Sequence, residues 1–138
     1  MKRRRFFATA LAAASAGLSL SRGGEAAEVP NPQAGQGLIV FYRPRRAAGG
    51  AIRFNITSQG RTIGNLSNGS VIAQPVSPGQ YGFEVQSPSI DGRDSVSVPV
   101  KAGQTVFIRG EIRAGWPVGR PKFTVVSETQ GRAEVQKI

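Results

Sequence analysis

The stretch TIGNLSNGSVIAQPVSPGQYGFEV, residues 62–85, decides the fold. Glycine or proline recurs every few residues, and between them apolar side chains fall on alternate positions. Tyr81, Phe83 and Val85 share one side of an extended chain, with Gln80, Gly82 and Glu84 on the other. That is the period of a strand with one face buried. Asn68-Gly69 predicts a type I′ turn, whose two central residues both need positive φ. Ser77-Pro78-Gly79 predicts a second turn, in which proline presets φ and glycine takes the left-handed position. Between the turns, Pro75 marks a strand edge or a bulge, because proline cannot donate to a sheet ladder. The stretch builds a sheet.

The same punctuation continues in both directions. Residues 38–43, LIVFYR, form an apolar run that stops at Pro44. Residues 51–56, AIRFNI, alternate, with Ile52, Phe54 and Ile56 on one side, and Ser58-Gln59-Gly60 reads as a turn. Residues 88–93 read as a loop. Val96, Val98 and Val100 share one side of the next strand, in which Pro99 predicts another edge. Ala102-Gly103 turns the chain into TVFIRGEI, the segment 115–121 reads as a loop, and KFTVVS is a strand. The tail RAEVQKI, residues 132–138, is expected to supply a last short strand. No window carries a sustained helical stripe. Seven or eight short strands predict an all-β fold, an antiparallel two-layer β-sandwich of prealbumin-like or Ig-like form, with a small barrel as the alternative. Ile39, Phe41, Phe54, Phe83, Ile108 and Val125 are among the residues expected to point inward.

The N-terminus reads differently. KRRR at residues 2–5 precedes an uncharged run, residues 6–21, and a small-residue zone ending at Ala26. A basic, an apolar and a small-residue region in that order predict an export signal over residues 1–26. Arg3-Arg4-Arg5-Phe6-Phe7 also fits a twin-arginine address, although ordinary export signals are basic too. Residues 27–36 then form a flexible lead, and residues 37–138 one β-sandwich domain. Cleavage after Ala26 would leave 13 basic and 7 acidic residues, a net charge of +6 against +10 for the whole chain. The expected location is the bacterial periplasm or the exterior, in soluble form, with no membrane span once the signal is removed.

Composition narrows the chemistry. The chain has no cysteine, no histidine and one methionine. A histidine-based triad, a thiol nucleophile and a disulfide are therefore all excluded. Asp91 and Asp94 share one region, but nothing there resembles a calcium loop, and solvated turn acids account for them. The expectation is a protein that is not an enzyme and holds no metal or cofactor. Tyr42-Arg43-Pro44-Arg45-Arg46 places three guanidinium groups at a strand end. Arg43, Arg45 and Arg46 are candidate anion-binding residues, since the planar guanidinium suits phosphate or carboxylate; a solvated loop is the duller alternative. Tyr42 and Trp116 are candidate aromatic contacts, with a lid over the sandwich end as the plainer role for Trp116.

Several of these segments together resemble the DUF2846 family. They are Phe41-Tyr42-Arg43-Pro44, Ile63-Gly64-Asn65-Leu66, Asn68-Gly69-Ser70, residues 76–81 and residues 101–107. The resemblance spans roughly residues 37–126. It implies a small exported bacterial domain of uncharacterised function, often a lipoprotein, with a prealbumin-like or carboxypeptidase-regulatory sandwich fold. Two departures stand out. Val71 follows Gly69-Ser70 where many members carry an aromatic, and no cysteine is available for lipid attachment. The functional expectation is a non-enzymatic periplasmic interaction or accessory module. The alternative is a binder of anionic envelope ligands through the arginines. Partners are then an envelope protein or an anionic envelope component, and not nucleic acid.

Overall fold

The computed structural model describes residues 29–47, 50–87, 90–113 and 120–138. The export signal expected over residues 1–26 therefore lies outside the described residues, as does Trp116. The elements are β1 (Gly37–Arg43), β2 (Phe54–Ser58), β3 (Arg61–Leu66), β4 (Ser70–Val76), β5 (Gly79–Ser87), β6 (Ile90–Val100), β7 (Thr105–Arg113), β8 (Arg120–Val126) and one helix, α1 (Glu128–Val135). They form two four-stranded sheets, β4-β1-β7-β8 and β3-β2-β5-β6. All pairings are antiparallel except the one between β1 and β7. The fold is an all-β sandwich, and the sheets do not close into a barrel.

The apolar run of β1 explains the layering. All seven of its residues are buried, as a strand with both faces covered requires. Ile39 and Phe41 point between the sheets and join Phe54, Ile56, Phe83, Val98, Ile108 and Phe123 in the main core. The Phe41 ring meets Phe83 edge-on with centroids 4.9 Å apart, and Phe123 at 5.6 Å. Leu38, Val40 and Tyr42 point the other way, into a second core with Val71, Ala73, Phe107 and Val135. Val125, expected inside, is 47% exposed on the edge strand β8.

Helix α1 covers that second core, and it replaces the final strand expected from the tail. Ser127 caps it by accepting a hydrogen bond from the Gln130 amide, 3.2 Å, through its hydroxyl. Glu128 pairs with Arg132 one turn on, at 2.8 Å. Only Gly131 and Val135 are buried, so the helix carries almost no apolar stripe. Gly131 is the contact point: a Cβ there would lie 2.3 Å from Cγ of Phe107. The helix backbone rests directly on the ring.

The turns also depart from expectation in detail. Gln59 and Gly60 both have positive φ, 52° and 79°, so the pair between β2 and β3 meets the type I′ requirement. At 68–69 only Gly69 does, with φ 66°, because this turn carries the chain from one sheet to the other. Gly79 opens β5 without a left-handed backbone. Pro75 and Pro99 lie on β4 and β6, both edge strands as expected. The loop expected at 88–93 is mostly β6, which begins at Ile90.

Candidate functional site: the arginine end and the tyrosine-glutamate fastening

Strand register gathers seven arginines at one end of the sandwich. Arg43 pairs with Ser70 at the finish of β1, and Arg113 pairs with Arg120 at the finish of β7. In the other sheet, Phe54 pairs with Leu66, and Gln86 pairs with both Asn55 and Arg93. Arg45, Arg46 and Arg53 lie on the connection from β1 to β2.

The structure separates Arg43 from Arg45 and Arg46. Arg43 is 3% exposed. Its Nη1 donates to the carbonyls of Ile52 and of Leu66, the latter at 3.4 Å, and Cζ lies 4.4 Å from the centre of the Phe54 ring. Burial lowers its pKa. Arg43 thus staples β1 to the other sheet, and its charge is turned inward, away from any ligand in solvent. Alternation causes this: with both faces of β1 covered, its last side chain still falls beneath a neighbour. Arg45 and Arg46, beyond Pro44, are exposed. The Arg45 guanidinium lies against Gly69, and the Arg46 amide donates to Oδ1 of Asn68 at 2.8 Å.

Tyr42 is likewise not a loop contact. It is fully buried beneath α1, and its hydroxyl donates to Oε1 of Glu134. Arg109 Nη1 donates to both oxygens of Glu134 at 3.2 Å, and Nη2 pairs with Glu111 at 3.6 Å. Gln130 Nε2 reaches Glu134 Oε2 at 3.4 Å. Burial pushes the Tyr42 phenol well above its ordinary value, and its hydrogen bond to the Glu134 carboxylate adds to this. Burial works to raise Glu134, but hydrogen bonds from Tyr42 and Gln130 and the charge of Arg109 outweigh it and hold the carboxyl below its usual range. A phenol kept protonated is the reverse of an activated nucleophile. The arrangement fastens α1 to β1 and β7.

Sequence reasoning placed neither Arg109 nor Glu134 in a site. The covalent pattern offered no signal for that triangle, because its members come from β1, β7 and the unrecognised helix. Asp94, weighed as a turn acid, accepts a hydrogen bond from the Phe123 amide at 2.8 Å and ties β6 to β8. Among the described residues, no group of three or more acidic side chains could hold a metal ion.

The family model described as "Protein of unknown function (DUF2846)" matches residues 33–121. The chain belongs to the DUF2846 family. No curated protein matches it. The DUF2846 match contains Tyr42, Arg43, Arg109 and the arginines of the crowded end, and it stops before α1 and Glu134. No helix of the described residues is long and apolar enough to cross a membrane.

Proposed function

We propose that this DUF2846 chain is a non-enzymatic interaction or accessory module, exported to the bacterial periplasm or beyond. One observation carries the reading: the two sheets finish differently on their outer faces. α1 covers the second core on the outer face of β4-β1-β7-β8, over β1 and Phe107 of β7. Nothing among the described residues covers β3-β2-β5-β6, where Gln80, Glu84, Ser95, Ser97 and Pro99 are exposed on alternate positions. The groups whose ionisation is displaced support it too. Tyr42, Arg43, Arg109 and Glu134 are committed to fastening one element to another. Among the described residues displaced ionisation accompanies burial and fastening, Tyr81 with its hydroxyl donating to the Ser77 carbonyl included, where in an enzyme it accompanies a cleft.

The test is capture of envelope proteins by the purified chain at low and high salt, repeated with Ser95→Arg and Ser97→Arg together. The expected outcome is a partner retained at high salt by the native face and lost with the double variant. Equal capture by both proteins would sink the reading. A second reading, binding of anionic envelope ligands, is favoured by the exposure of Arg45 and Arg46 alone, with Arg43 removed from the proposed contact.

A further inference from the structure

We infer that the arginine end of the sandwich docks on an anionic phospholipid surface. The inference deepens the second reading above and rests on it. Six exposed arginines occupy that end: Arg45, Arg46 and Arg53 between β1 and β2, Arg93 near the start of β6, and Arg113 and Arg120 on the β7–β8 hairpin. They are six of the thirteen basic residues in 29–138, whereas the opposite end, with the turns at Gln59-Gly60 and Ala102-Gly103, carries only Arg61 and Lys101. Among the described residues none of the six forms an ion pair, because the ion pairs present involve Arg109 and Arg132. The nearby Asp94 carboxylate is occupied by the Phe123 amide.

The distribution selects the partner. Asp94 reaches inward to β8, so Arg93, beside it on the strand, faces outward from its sheet. Arg113, four residues along β7 from Arg109, and Arg120, its partner on β8, share the α1 side of the other sheet with Arg109. The charges therefore ring one end on both sides of the sandwich. A linear polyanion lying in a groove would meet a row, while a plane of headgroups meets a ring. Guanidinium groups suit its phosphates, donating two parallel hydrogen bonds each. The attraction acts within a Debye length, about 10 Å at 0.1 M salt and about 3 Å at 1 M.

The experiment exploits the absence of native cysteine. The full chain carrying Ala47→Cys, at the arginine end, or Ala102→Cys, at the opposite end, is labelled with an environment-sensitive fluorophore. Vesicles of phosphatidylglycerol with phosphatidylethanolamine are then added, with phosphatidylcholine vesicles as the control. The label at 47 should respond to the anionic vesicles alone, lose that response at 1 M salt, and leave the label at 102 unchanged. Arg45→Ser with Arg46→Ser, and Arg113→Ser with Arg120→Ser, should each weaken the response about twenty-fivefold, at about fivefold per arginine. Arg61→Ser with Lys101→Ser should not. A response at both labels, or one indifferent to the arginine pairs, overturns the inference. Arginine-dependent binding of soluble polyphosphate without a vesicle response overturns membrane docking and leaves the anion reading standing. Binding to neither sinks both.

Discussion

The two sheets of this sandwich face the same core and are otherwise built on opposite rules. β5 buries every second residue at its inner end and leaves Gln80, Gly82 and Glu84 in solvent. β1 buries all seven of its residues. The difference is one helix of eight residues. With α1 in place, β1 has two packed faces and its specification is doubled: slipping it by one residue would exchange one apolar set for another. On β5 the same slip would bury glutamine and glutamate. Register in β1 is therefore held by shape and by Arg43 and Tyr42, and in β5 by polarity.

The comparison can be broken at its shared centre first. Phe41→Ala removes the ring that both sheets pack upon and should cost about 3–5 kcal/mol, read as a fall in the denaturation midpoint. Arg43→Ala comes next. It strands the Ile52 and Leu66 carbonyls and should cost about 1.5–3 kcal/mol, against less than about 0.5 kcal/mol for Arg46→Ala at the exposed neighbour. Gly131→Val separates the sheets: a side chain 2.3 Å from Phe107 must lift α1, at about 1–3 kcal/mol. Hydrogen exchange should then speed up in β1 and β7 and stay unchanged in β5. The smallest effect is that of acid. Because Glu134 is held below its ordinary value, its contribution is present above about pH 4.3 and is lost as pH falls from there through the folded value. Hydrogen exchange in the Phe107 region should follow that limb, and Glu134→Gln should flatten it. The raised phenol of Tyr42 adds an alkaline limb, with its contribution present below about pH 10 and lost above.

What was legible in the sequence follows the same division. Residues 61–66 and 70–76 alternate or break at turn residues, and their strands begin and end where those signals stand. The edge positions of Pro75 and Pro99 were legible for the same reason. The helix was not, because its docking residue is a glycine and leaves no apolar stripe. A signal did exist in Ser127-Glu128-Thr129-Gln130, which has the spacing of a capping box. A run of three basic residues around a proline groups Arg43 with its exposed neighbours and gives no hint that it sits on a strand buried on both faces. The covering of β1 depends on residues some ninety positions away, and local pattern carries no such information.

The parallel pairing of β1 with β7 has a consequence for the order in which this chain is made. Leu38 waits for Thr105, a separation of 67 residues, which at about 5–20 residues per second is roughly three to thirteen seconds of synthesis. During that interval LIVFY can pair with β4 along one edge, while its other edge stays open on an apolar segment of high β-propensity, the kind that self-associates between nascent chains. Pro44, Arg45 and Arg46 follow it immediately, a strand-stopper and two charges placed as gatekeepers. The arginines beside β1 thus protect the chain before it has a surface at all.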